Sequence, residues 1–571
     1  MVRDYFLPGI APRKTDKITH SSSVPLSAMQ VQQSVMRVKT LHIFLPFVFL
    51  FFIILSTIIL RMRLLDVPLE RDEGEYAYIG QLILDGTPPY TEAYNMKFPG
   101  IYFIYAGILW LFGETHMAIH FCLLIVNVIS IILLFFFART AYDDWVAAAA
   151  ASAFALLSMS YHVQGFWANA EHFILPFVIG AYLLLLSGLR KNRKDFILFS
   201  AVLFGCAAVV KQQGAFFGIF GFAVLLISLW QDKSFERRNY WKYISTYIGG
   251  VALPLIACFS YLVYVGVFEK FYLWTFAYAR EYSSLVPATD IWYYFYSSFH
   301  PLWQHTILVW IIAGVGLIAL FFKAHCRQSC FFVLGLTLAG VVALSAGFYF
   351  RPHYFVLVLP GIALLFGIGI RFIYRVFSVG SSPLVRYIPP TFIIIITLVS
   401  TLIAHRDVLF QYSPDRVTKM IYGSCPFTFS SMIAKLIREK TSKEERIAII
   451  GNEPQFLFYS QRRSATSFIY TFSLVEDQPF AEQFRQEMIH QVEKAVPKLL
   501  IYTHTTLDYF EKSKGQKDLD DWFLGFAKSH YNPIARFEYL YDDTLLITDP
   551  KRMLKMPTHL FWISMYERRK D

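Results

Sequence analysis

Charge and cysteine are both scarce in this chain. Only 16% of its 571 residues are charged, whereas 56% are hydrophobic and 18% aromatic, with 56 Phe and 35 Tyr. So apolar a composition points away from a soluble globular enzyme and towards a membrane protein. The cysteines (Cys122, Cys206, Cys258, Cys326, Cys330 and Cys425) supply no disulfide framework. The first three lie within apolar runs, where cysteine behaves as a small hydrophobe. Cys326 and Cys330 form a Cys-x3-Cys beside His325, a weak metal signal without a second ligand pair. No G-x-G-x-x-G and no P-loop is present, and no repeat of solenoid period. The net charge of +11 does not indicate a nucleic-acid partner, because many of the basic residues sit in short loops between apolar runs, where they set topology.

What the sequence does have is long apolar runs. About 20 apolar residues cross a bilayer. Runs at 40–61, 116–138, 145–161, 170–189, 196–213, 214–230, 243–266, 306–322, 331–349, 354–375 and 387–405 predict about eleven spans. Residues 1–38 are polar and basic, with Arg3, Arg13, Lys14, Lys17 and Arg37, and no small-residue cleavage site follows the first run. They read as a disordered cytoplasmic tail ahead of an uncleaved span. The shorter run Ile101–Phe112 decides the topology. If it lies along the membrane surface, Arg190–Lys194, Lys233–Lys242, Lys323–Arg327 and Arg371–Arg386 all fall inside. The opposite side then holds 162–169, without Lys or Arg, and 267–305, with only Lys270 and Arg280. Trp292, Tyr293, Tyr294 and Tyr296 in that long loop read as an interfacial amphipathic segment. After Leu402 the chain mixes charged and apolar residues. Glu445–Gly451, Pro497–Thr503 and Asp542–Thr548 read as short strands and Gln478–Ala495 as an amphipathic helix, predicting a small α/β domain. The expected division is thus 1–38 tail, 39–405 transmembrane domain and 406–571 outer soluble domain.

With this topology the unusual polar residues fall on one side. Asp72, Glu73 and Glu75 cluster in Leu69–Gly100 with Tyr76 and Tyr78, and Lys97 follows before Phe98-Pro99-Gly100. Asn169, Glu171 and His172 stand at the mouth of one span, Lys211, Gln212 and Gln213 at the end of another, and Arg351, His353 and Tyr354 at a third. Each group alone has a structural reading, as a helix start, a snorkelling lysine or an interfacial anchor. Charges at membrane depth are costly and usually paired or functional, so their convergence at one level is the stronger signal.

An Asp72-Glu73 pair after the first span, Tyr76 one turn on and a later Lys97-Phe98-Pro99-Gly100 resemble the polytopic glycosyltransferases of the GT-C fold. The resemblance is to the branch of lipid A aminoarabinose transferases and protein O-mannosyltransferases, over roughly 40–405. Glu171 holds the place of that branch's second acidic residue, although the branch has Asp followed by Pro and this chain has Glu followed by His172. Lys211 matches a lysine at an outer helix end, and Tyr354 a tyrosine before Leu359-Pro360. The resemblance implies an integral bacterial plasma-membrane transferase with its active site and C-terminal domain on the outer face. It implies a polyprenyl-phosphate sugar donor, an inverting transfer, and a lipid, glycan or protein acceptor beside the membrane lipids. Asp72 would then act as base or align the acceptor, supported by Glu73. Lys97, with Lys211 and Arg351 behind it, would stabilise the phosphate leaving group. Tyr76, His353 and Tyr354 would bind substrate. Glu171 would orient a substrate; that it holds a divalent cation is left open.

Two other classes are compatible with many spans and clustered charges: a flippase of lipid-linked sugars, and a non-catalytic scaffold. A transporter would place its charges near the bilayer midplane in corresponding halves, which this sequence does not. The topology makes a direct prediction. A reporter fused after Asn192 should lie inside the cell and one fused after Glu444 outside; the reverse would mean that Ile101–Phe112 spans.

Overall fold

The computed structural model describes residues 46–231, 237–322, 327–378, 388–504, 513–540, 543–553, 555, 557–559 and 561–569. The 1–38 tail and the His325 and Cys326 pair lie outside the described residues. Helix α1 runs over Pro46–Met62. Two helices, α2 (Arg71–Leu84) and α3 (Gly100–Phe112), precede the bundle helices α4 (His116–Ala141), α5 (Asp144–Ser158), α6 (Ala170–Lys191), α7 (Lys194–Val210), α8 (Gly214–Gln231) and α9 (Tyr240–Tyr264). Next come the short α10 (Phe268–Tyr272) and α11 (Ala279–Ser283) around a π-helical stretch, Leu273–Tyr278. The bundle closes with α12 (Ile291–His305), α13 (Ile307–Ala319), α14 (Arg327–Leu344), α15 (Leu359–Ser378) and α16 (Ile388–Ala404).

All eleven runs read as spans contain helix. Length is more selective: α4, α6, α8, α9 with its short lead-in, and α15 are long and apolar enough to cross a membrane. The pair α12 and α13, bent by 98°, would add a sixth as one broken span. Others are shorter, such as α5 with 15 residues and α16 with 17. Polar positions cut them off; α7 stops at Val210 because Lys211 is already extended. The run Ile101–Phe112 forms the 13-residue α3, capped at Pro99, too short for a full crossing. Trp292, Tyr293 and Tyr296 are well exposed on α12.

Short helices α17 (Pro414–Tyr422), α18 (Ser430–Lys440), α19 (Gln455–Ser460) and α20 (Phe472–Val475) lead into and interrupt the C-terminal part, followed by the longer α21 (Ala481–Ala495) and α22 (Lys514–His530). Its sheet has strands β1 (Ile447–Ile450), β2 (Leu499–His504), β3 (Tyr531–Leu540), β4 (Asp543–Ile547) and β5 (Phe561–Arg568), in the order β1-β2-β5-β3-β4. β1 and β2 pair in parallel and the remaining pairs are antiparallel. Strands β3 and β5 were not read from the sequence: Arg536 and Glu538 interrupt β3, and β5 shows no clean apolar–polar alternation. The core of this part, with Ile450, Phe484, Met488, Leu500 and Phe523, also takes in Tyr94, Trp274 and Tyr278 from the membrane region. Trp274 stacks on Phe484 at 4.6 Å.

Helices α13 and α15 meet backbone to backbone. A Cβ on Gly316 would lie 1.8 Å from the Leu365 carbonyl oxygen, whereas one on Gly314 would meet nothing. Overpacking of this kind costs roughly 1–3 kcal/mol or more. Gly316→Val should lower the unfolding temperature of the purified protein by several degrees and Gly314→Val should leave it unchanged. Equal effects would refute the close crossing.

Candidate active site at the loop end of the bundle

The first acidic residues build the start of α2. Glu70 accepts from the Glu73 N–H at 3.1 Å, and Glu73 accepts from the Glu70 N–H at 3.2 Å, a reciprocal capping box. Glu73 is fully buried and has further partners, His120 at 2.9 Å and the Ala168 N–H. Of the acidic pair Asp72-Glu73, it is therefore the residue that anchors α2 to the bundle. Three residues along, on the face shared by positions i and i+3, Asp72 and Glu75 both reach Lys97. Lys97 Nζ lies 3.1 Å from Asp72 Oδ1 and 2.8 Å from Glu75 Oε2. It also sits over the Tyr76 ring, 4.6 Å from the centroid.

The loop carrying Lys97 is held from two sides. Tyr90 donates to the Lys97 carbonyl at 2.6 Å, and Gln212 donates to the Met96 carbonyl at 2.6 Å. Immediately after it, Gly100 admits α7 so closely that a Cβ there would fall 2.4 Å from the Val209 carbonyl oxygen. That contact sets Lys97 and Lys211 on neighbouring elements. Lys211 in turn pairs with Glu171 and lies 4.7 Å over the Tyr354 ring. His353 Nδ1 is 2.7 Å from Gln164 Oε1. His353 and Lys211 are both close enough to act on the charge of Asp72. Asp72, Lys97, Tyr76, Glu171, Lys211, His353 and Tyr354 thus share one charged site. Arg351 sits at its margin over the Tyr349 ring, 5.3 Å away.

The two carboxylates on Lys97 differ. Burial pushes the Asp72 carboxyl up, but Lys97, followed by His353 and Lys211, reverses this and holds it well below the usual carboxylate range. For Glu75 burial prevails over Lys97, so its carboxyl lies above the ordinary value. Lys97 itself loses by burial and gains more from both carboxylates, which raises it above a free lysine. Burial lowers His353 to about 4, leaving it neutral at pH 7. Asp72 keeps 25% of its side chain exposed and Glu75 none, so Asp72 is the carboxylate a substrate can touch.

Glu75 carries more than its place in the acidic cluster indicated. It accepts from Tyr102 at 2.8 Å and from Tyr470 at 3.1 Å. Its spacing from Asp72 was the available signal. Tyr102, Gln164 and Tyr470 had none, because each arrives from a distant segment. Among the described residues no three His, Cys, Asp or Glu side chains are grouped to hold a metal ion. Asp72, Glu75 and Glu171 each meet a lysine.

A family model described as dolichyl-phosphate-mannose-protein mannosyltransferase matches residues 96–264, the segment that contains Lys97, Glu171 and Lys211. No curated protein sequence matches the chain. Among solved structures, ArnT from Cupriavidus metallidurans bound to undecaprenyl phosphate is similar with a TM-score of 0.56 and 13% identity, over 90% of this chain and 96% of that one. Its apo form gives 0.54 and 14% over the same shares. The archaeal oligosaccharyltransferase AglB from Archaeoglobus fulgidus, in complex with an inhibitory peptide and a dolichol-phosphate, gives 0.56 and 12%, over 91% and 75%. The chain has the GT-C fold, that of the polytopic glycosyltransferases. It is an integral, multi-pass membrane protein.

Removing the charge of Lys97 would leave Asp72 and Glu75 facing each other, and breaking a buried pair costs about 3–5 kcal/mol. Lys97→Met should lower the unfolding temperature, and Glu75→Gln in the same chain should restore part of it. No loss with Lys97→Met would mean that the pair does not hold the site together.

Proposed function

We propose that this protein is a membrane glycosyltransferase that moves a sugar from a polyprenyl phosphate to an acceptor hydroxyl or phosphate, with inversion. The observation that carries the reading is Lys97 held between Asp72 and Glu75, beside Lys211 and Glu171. The GT-C fold and the lipid phosphates named in the related structures agree with it.

Glycosyl transfer passes through an oxocarbenium-like state, while the acceptor loses a proton and the lipid phosphate leaves with growing negative charge. Lys97 is placed to take up that charge, with Lys211 and Arg351 behind it. Asp72 is the exposed carboxylate and meets the acceptor. In the free enzyme its strong ion pair makes it a hydrogen-bond acceptor more than a base. A phosphate drawn onto Lys97 loosens that pair and raises the basicity of Asp72. Glu75 keeps Lys97 in place from the buried side, and Glu73 fixes α2. Tyr76 and Tyr354, each under a lysine, position sugar or phosphate, and His353 is neutral and available as a hydrogen-bonding partner.

In this reading 39–405 forms the catalytic membrane domain. The 406–571 domain lies with the site on the outer face of a bacterial plasma membrane, where it admits a lipid, glycan or protein acceptor. The distribution of Lys and Arg among the loops supports that side. The test is sugar transfer from radiolabelled polyprenyl-phosphate sugars in membranes carrying the natural chain or Asp72→Asn. A loss of about 100-fold or more is expected at equal expression. Equal transfer would move the acceptor-facing role to Glu171. No transfer, with donor crossing between leaflets, would replace the transferase by a flippase.

A further inference from the structure

The first turn of α6 leaves buried polar atoms without partners. Both polar atoms of the Asn169 side chain, both ring nitrogens of His172 and Oε2 of Glu171 are buried and make no hydrogen bond. Asn169 and Glu171 are 0% exposed and His172 1%. Asn169 is the N-cap of α6, yet its side chain does not cap. The Tyr76 hydroxyl, close enough to feel the charge of Glu171, is likewise unpartnered, as is Oε1 of Gln213, two residues beyond Lys211. An unpaired buried polar group costs roughly 1–3 kcal/mol, and native structures contain few of them. Five such atoms, on Asn169, Glu171 and His172, share one helical turn beside the Lys211–Glu171 pair.

The chemistry of the group is specific. Asn169 offers two donors and an acceptor, and a neutral imidazole offers one of each. Glu171 spends one oxygen on Lys211 and keeps the other as an acceptor. Neutral donors and acceptors beside a single carboxylate oxygen suit vicinal hydroxyls. A phosphate would find no cation on this turn itself: Lys211, from the end of α7, is already paired with Glu171, and Arg61, which acts on His172, donates to the Gly165 and Ser158 carbonyls. A sugar ammonium would find no carboxylate free of a lysine, because Asp72 and Glu75 close on Lys97.

We infer that Asn169, His172 and the free oxygen of Glu171 form a subsite that reads the hydroxyls of an uncharged sugar ring on the donor. The inference rests on the transferase reading for the donor's lipid phosphate, but its test does not need catalysis. Binding to the full-length protein in detergent is measured for undecaprenyl phosphate, for the same lipid phosphate carrying a neutral hexose, and for one carrying a 4-amino pentose. The neutral sugar should tighten binding by about tenfold over the bare lipid phosphate, the value of one to two net hydrogen bonds. Asn169→Ala and His172→Phe should abolish the gain and leave affinity for bare undecaprenyl phosphate unchanged. His172→Gln, which still donates and accepts, should keep part of it and guards against a folding defect in the harsher variant.

No gain from the sugar, or a gain that survives both disruptive variants, would overturn the subsite and mean that water satisfies these atoms. A larger gain from the amino sugar would overturn its uncharged character. A sugar-dependent gain in a protein that transfers nothing would support the subsite and count against the transferase reading.

Discussion

The ion triad of Asp72, Lys97 and Glu75 is the constraint around which the loop end of this bundle is arranged. A lysine largely withdrawn from water keeps its charge only when carboxylates face it, and one carboxylate is not symmetrical with the other. Glu75 is sealed by Tyr102 and Tyr470, whereas Asp72 retains access. The same cation thus has a structural partner and a reachable one. An anion arriving at Lys97 would compete first with Asp72, its accessible partner.

The second pair repeats the device with different geometry. Lys211 ends α7 as an extended residue and meets Glu171 in the first turn of α6. Gly100 allows α3 and α7 to approach until the Lys97 loop and the Lys211 turn share a hydrogen bond through Gln212. Each lysine is therefore already neutralised by a carboxylate of its own.

The C-terminal sheet region belongs to this site and does not merely hang from it. Tyr470 closes the buried side of Glu75, and Arg71 of α2 pairs with Glu453 at 3.2 Å. Tyr94 and Trp274 from membrane-region loops pack inside the domain's own core.

Much of this was written in local patterns. Long apolar runs made the membrane helices legible, because the bilayer demands length and apolarity of each span separately. The Lys and Arg asymmetry bore on topology, and the short run before Phe112 indeed makes only a 13-residue helix. Asp72, Lys97, Glu171 and Lys211 stood out because charge is rare in such a chain. Pairing was beyond the sequence: nothing local says that Lys97 takes Glu75 as well as Asp72, that Glu73 goes to His120, or that Tyr470 crosses from the far domain. Strands β3 and β5 escaped for a related reason, since a strand covered by neighbours from elsewhere need not show a clean alternation. By itself the sequence determined which residues cannot rest in lipid unaccompanied. Only the tertiary structure decided who accompanies them, because burial and charge neutralisation depend on groups that meet across tens to hundreds of residues.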